Sequence, residues 1–229
     1  MKKVYAIILG GGKGNRLKSS IPKQFIEIGG KTVLEHTIEK FNENKYIDNI
    51  ILVMNKDYNE VELEKKIMNK YGKIIGIVGG GKTRRESTYN GLKTIGYEDS
   101  IVLIHDAVRP FVSHKTINRC IEALEEYSAV YPAVPSADTL IQTKDSLFVD
   151  SIPIRKYMMR GQTPQGFKTD IIKKAHLLAQ DDSKVDEKVT NDCGLVQRYD
   201  LCKIRVVDGN RENIKITYPE DYVLIQKLL

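Results

Sequence analysis

Short runs of aliphatic and β-branched residues alternate along the chain with segments whose apolar positions recur at helical spacing. Six runs predict strands, at residues 4–9, 50–54, 74–78, 101–104, 129–134 and 203–207. The first and fourth are nearly all apolar, as a strand covered on both faces requires. Between them, Leu34, Ile38 and Phe41 lie at i, i+4, i+7, and Ile117, Cys120, Ile121 and Leu124 repeat at i, i+3, i+4, i+7. Both sets predict helices with one apolar face. A last helix is expected over 219–229, opened by Pro219, with Glu220 and Asp221 complementing its positive end. This alternation predicts an α/β fold, a mostly parallel twisted sheet with helices on both faces. Residues 138–161 break the rhythm. Apolar stretches at 139–142 and 147–149 flank the polar Thr143-Lys144-Asp145-Ser146, which predicts a hairpin arm, with an ordinary surface excursion as the alternative.

Length and composition narrow the class. The 229 residues suit one large domain spanning 1–229, and 41% hydrophobic with 29% charged residues is ordinary globular usage. No apolar run approaches the ~18 residues that a membrane span needs. The start Met1-Lys2-Lys3-Val4 runs into a glycine loop with no cleavage signal, so a cytoplasmic protein is expected. Cys120, Cys193 and Cys202 are odd in number and lack Cys-x-x-Cys spacing, which supports neither a disulfide framework nor a zinc knuckle. The formal charge of +6 comes from scattered basic pairs and not from one dense stripe. That distribution suits a small polyphosphate ligand better than nucleic acid.

The strongest chemical signal follows the first strand: Leu9-Gly10-Gly11-Gly12-Lys13-Gly14-Asn15-Arg16, then Pro22-Lys23-Gln24. Glycines there let backbone N–H groups approach an anion, and Arg16 and Lys23 add full charges. The dinucleotide fingerprint is absent, because its third glycine is missing. A competing reading takes Gly76 to Thr83 as a Walker A loop, with 101–104 and Asp106 as its Walker B strand, which would make an NTPase or kinase. Against it, Gly76 falls inside a predicted strand. The segment His105-Asp106-Ala107-Val108-Arg109-Pro110 ends a buried strand, where open sheets bind ligands. Asp106 there is placed either to hold Mg²⁺ or to cap a turn with Arg109 as its ion-pair partner.

Taken in order, Gly10 to Arg16, Pro22-Lys23-Gln24-Phe25, Gly79 to Ser87, His105 to Pro110, Asp138-Thr139, Gln162-Thr163-Pro164-Gln165 and Asn213 to Thr217 resemble the cytidylyltransferases of 2-C-methyl-D-erythritol 4-phosphate and of ribitol 5-phosphate, end to end. The resemblance implies a Rossmann-like sheet, an arm joining two subunits into a homodimer, and a reaction of CTP and a polyol phosphate, with Mg²⁺ or another divalent cation. It implies that Arg16, Lys23 and Lys215 are catalytic. Leu9, Gly10, Gly11, Gly12, Gly14, Gly80, Gly81, Arg84, Ser87 and Asp106 would bind nucleotide. Asp106, Arg109, Thr190 and Lys215, with Arg155 and Thr163 across the dimer, would bind the acceptor, and Asp106 the metal. Ile8-Leu9-Gly10-Gly11 and Ser151 to Arg155 look closer to the ribitol branch, whose products serve teichoic acid or capsule synthesis; the isoprenoid branch is the alternative. Thr190-Asn191-Asp192-Cys193 conforms to neither branch.

Overall fold

The computed structural model describes residues 2–12, 21–55, 66–96 and 99–228. Among them an eight-stranded sheet forms. Its parallel half consists of β1 (Lys3–Gly10), β4 (Asn49–Met54), β5 (Ile74–Gly79) and β6 (Ser100–Asp106), with β1 paired to β4 and β6, and β4 to β5. The other half holds β7 (Ala129–Pro135) and the parallel edge strand β10 (Ile204–Asp208). With β9 (Gln165–Lys168) included, the spatial order is β10-β7-β9-β6-β1-β4-β5. All six predicted strands are present.

Alternation along β1 explains the two-sided core. Ala6 and Ile8 pack with Leu34, Ile38 and Phe41 of α1 (Val33–Asn42) and with Cys120 and Leu124 of α3 (His114–Glu126). Tyr5 and Ile7 face the other way, onto Leu92 of α2 (Arg84–Lys93) and Ile172 of α4 (Thr169–Leu178). Successive side chains of a strand point to opposite faces, so an unbroken apolar run is what a sheet covered twice needs. Helix α1 opens with a capping box: Thr32 Oγ1 accepts from the Glu35 amide and the Glu35 carboxylate accepts from the Thr32 amide.

Four short strands escaped the sequence pattern. β2 (Glu27–Ile28) and β3 (Lys31–Thr32) form a two-residue hairpin. β9 (Gln165–Lys168), antiparallel to both neighbours, fills the gap between β6 and β7, and β8 (Met159–Gly161) pairs with β7. The expected arm departs from the sheet between β7 and β8 but is not a regular hairpin. Its only bridge joins Gln142 and Ser151, among the described residues, and Asp145 Oδ1 closes the tip by accepting from the Leu147 and Phe148 amides. With no neighbouring strand, its apolar residues remain exposed.

The chain then returns through the short α5 (Val185–Lys188) and α6 (Asp192–Arg198) and ends in α7 (Pro219–Leu228), where Asp221 accepts from the Thr217 and Tyr218 amides. All three cysteines are free. Gly76 lies in mid-strand, paired with Ile51, so residues 76–83 do not form a phosphate loop after a strand end.

Candidate active site

The carboxyl ends of β1, β4, β5 and β6 converge on a cleft of about 480 Å³. One wall is the backbone of Leu9, Gly10, Gly11 and Gly12. Gln24, fully buried, holds that wall by donating from Nε2 to the carbonyls of Gly10 (2.8 Å) and Gly12 (3.3 Å). Gly14 and Arg16 lie outside the described residues. Lys23 reaches the cleft and donates from Nζ to the Ile216 carbonyl at 3.2 Å.

The facing wall is Gly80-Gly81 and the start of α2. The Gly80 amide donates to the Met54 carbonyl (2.6 Å), and the Gly81 amide to Ser87 Oγ (3.0 Å), which itself donates to the Thr83 carbonyl (2.9 Å). Ser87 therefore braces the loop, and both glycine amides are used inside the protein. A Cβ on Gly81 would stand 2.2 Å from Cβ of Glu86, so the loop can run this close to α2 only with glycine.

Asp106 ends β6 at the cleft floor and gathers three cations. Lys215 Nζ is 2.9 Å from its Oδ2, Arg109 Nε 3.4 Å from the same oxygen, and Arg84 Nε 3.5 Å from Oδ1. Burial alone would raise this carboxyl; the charges of Arg84, Lys215 and Arg109 outweigh it and hold the group ionised, well below the usual carboxylate range. Behind Asp106 lies a buried relay. The Asp106 amide donates to Thr163 Oγ1 (3.2 Å), and His105 Nδ1 stands 2.9 Å from the same oxygen and Nε2 3.1 Å from the Arg109 carbonyl. A carbonyl can only accept, so Nε2 carries the proton and Nδ1 accepts from Thr163. Burial pushes His105 down to about 4, which keeps the ring neutral.

The remaining expected residues are spread more widely. Thr163 is buried behind Asp106, its hydroxyl occupied by the relay. Arg155 lies on the exposed arm, 3.4 Å from the Ala137 carbonyl. Thr190 lines an adjoining cavity of about 310 Å³ that shares Thr83 and Arg84 with the cleft. In the unusual Thr190-Asn191-Asp192 run, Asn191 caps α6 by accepting from the Gly194 amide, and Asp192 Oδ2 accepts from Arg84 Nη1 at 2.5 Å. Sequence reasoning assigned no role to Gln24, Asp192 or Asn213. Asn213 donates to the Thr163 carbonyl (2.7 Å) and accepts at its own carbonyl from Arg109 (2.8 Å). Only the block Asn213 to Thr217 hinted at it.

Asp106 does not fit the metal ligand expected of it. Both oxygens already face cations. Mg²⁺ takes one or two carboxylates whose lone pairs are available to it.

A glycine-walled cleft at the carboxyl edge of a mostly parallel sheet, lined by Lys23, Arg84 and Lys215, lies where open sheets of this kind bind their ligands. The class it points to is the nucleotidyltransferases. The model of the family described as 2-C-methyl-D-erythritol 4-phosphate cytidylyltransferase (IspD) matches residues 4–229. An enzyme of that name from Thermosipho melanesiensis is 45% identical over 224 residues, 96% of this chain and 95% of the relative. One from Clostridium perfringens is 42% identical over 230 residues, covering 99% and 98%. The crystal structure of 4-diphosphocytidyl-2C-methyl-D-erythritol synthase from Anaerococcus prevotii superposes with a TM-score of 0.86 at 38% identity, over 99% of this chain and 96% of that one.

This chain belongs to the 2-C-methyl-D-erythritol 4-phosphate cytidylyltransferase family, and it is a cytidylyltransferase. The leaning toward the ribitol branch, with teichoic acid or capsule synthesis, is thereby corrected: the matching family model and these relatives carry the methylerythritol name. Ile8-Leu9 and Ser151 to Arg155 are too short to outweigh similarity along the whole chain. The Walker reading falls with it.

Proposed function

We propose that this enzyme transfers the cytidylyl group of CTP to 2-C-methyl-D-erythritol 4-phosphate and releases pyrophosphate. The end-to-end identity to enzymes named for that acceptor carries the reading. An oxygen of the acceptor phosphate attacks the α-phosphorus in line, the bond to the β-phosphate oxygen breaks, and pyrophosphate leaves with the electron pair. The nucleophile is already an anion, so no base is required. The site agrees with this economy. Both ring nitrogens of His105 are engaged and the Asp106 carboxylate is bound to cations. Catalysis then rests on alignment and charge neutralisation. Arg16 and Lys23 neutralise the triphosphate and the pentacoordinate phosphorus.

Lys215 and Arg109 receive the acceptor phosphate and polyol at the cleft floor, with Asp106 and Thr190 facing its hydroxyls. Thr163 supports this floor from behind. The partner's Arg155, carried on its arm, completes the acceptor site in a homodimer. Divalent cation dependence is the family expectation; without a free carboxylate at Asp106, the charge carried by this chain's residues falls to Arg16, Lys23 and Lys215.

Pyrophosphate release from CTP with methylerythritol phosphate, ribitol 5-phosphate, glycerol phosphate or ribulose 5-phosphate tests the reading. Release with methylerythritol phosphate well above the others is expected. Faster turnover of any other acceptor would overturn it.

A further inference from the structure

Two acids divide one guanidinium. Inside the cleft, Arg84 Nε faces Asp106 Oδ1 at 3.5 Å; on its far side, Nη1 donates to Asp192 Oδ2 at 2.5 Å. Asp192 is buried at the first position of α6, 2% exposed. Its other oxygen lies 3.7 Å from Nε2 of His176, too far for a hydrogen bond, and that buried ring stacks on Tyr89 of α2. Arg84 is therefore anchored from the core, by a carboxylate that does not line the nucleotide cleft.

The division matters because Asp106 has a second obligation. Its Oδ2 holds Lys215 at 2.9 Å and Arg109 at 3.4 Å. A guanidinium is a rigid fork that pairs with a carboxylate through two parallel N–H groups when free to do so. Tied to Asp192 through Nη1, Arg84 offers Asp106 only the longer Nε contact. Released, the whole fork would turn to Asp106 and compete with Lys215 and Arg109.

We propose that Asp192 is a positioning residue for cytidylyl transfer: by holding Nη1 of Arg84 it fixes the guanidinium so that Asp106 remains shared with Lys215 and Arg109 at the cleft floor. The inference rests on the transfer reaction and is independent of which polyol phosphate accepts the nucleotide.

The test is a cycle of Asp192→Asn, Arg84→Gln and the double variant, with kcat normalised to the folded fraction from thermal melts. The wild-type enzyme run in parallel shows whether transfer occurs at all, which separates failure of the reaction assignment from failure of this one. Asp192→Asn is expected to lower kcat about 10- to 100-fold, by analogy with the loss of a residue that orients a metal ligand. In the Arg84→Gln background the same change should add little, because the group it orients is gone. A folded Asp192→Asn with wild-type kcat, or fold-losses that multiply in the double variant, would overturn the proposal. If Asp192→Asn does not fold, Arg84→Gln and the double variant decide it: equal rates support the proposal and a further fall defeats it.

Discussion

The Thr163 hydroxyl donates to Nδ1 of His105 at 2.9 Å and accepts from the amide of Asp106 at 3.2 Å, tying the cis Thr163-Pro164 turn to the end of β6. Because Nε2 of the same ring donates to the Arg109 carbonyl, one neutral imidazole braces both the acid and a cation of the cleft floor.

That brace makes stability depend on pH. The unfolded chain binds the His105 proton near 6.5, whereas burial delays binding in the folded protein to about 4. The unfolded state therefore holds more protons between these values, and stability falls as pH drops through that window, levelling off below 4. The fully buried ring makes this worth on the order of 3 kcal/mol, at 1.36 kcal/mol per unit. Urea unfolding at pH 7, 5.5 and 4 should show the decline, and His105→Gln should remove this part of it. Identical slopes in the two proteins would contradict the assignment.

Lys23→Ala and Arg16→Ala should each lower kcat by about 10²–10³, by analogy with the loss of one fixed oxyanion donor, with the fold retained. Lys23 touches the rest of the protein at the Ile216 carbonyl, in the segment that also carries Lys215, so circular dichroism should accompany the assay. Rates within a few-fold of wild type would remove these cations from the transition state.

The arm presents Leu147 and Phe148, 79% and 76% exposed, beside Ile152, Ile154 and Tyr157. A patch of this kind on an element without a regular hairpin of its own calls for a partner surface. Phe148→Glu is expected to shift the enzyme toward monomer in light scattering coupled to gel filtration, and to lower transfer in step with the lost dimer. A monomeric wild type, or full activity in a monomeric variant, would refute the arm's role.

Much of the molecule was readable from local pattern. The runs at β1, β4, β6 and β7 mark strands because they are largely buried on two faces, whereas the edge strands β5 and β10 stay partly exposed and were marked by their β-branched residues alone, and α1 and α3 show their cores at helical spacing. β9 was not readable: Gln165-Gly166-Phe167-Lys168 has neither length nor alternation, and it becomes a strand because β6 and β7 leave a slot between them. Between β7 and β8 the chain does leave the sheet where the arm was expected, but among the described residues it forms one isolated bridge there and not a regular hairpin.

The sequence by itself determined the class of sheet, the glycine wall, the cations at Lys23 and Lys215 and the kinship with cytidylyltransferases, because each is a contiguous motif whose chemistry is local. Only the tertiary structure decided that Asp106 is the shared partner of Arg84, Arg109 and Lys215, that Thr163 braces from behind, and that Asp192 holds the far side of Arg84. Those relationships join residues up to 109 positions apart, and a charge far along the chain becomes a partner only when folding removes the water between them.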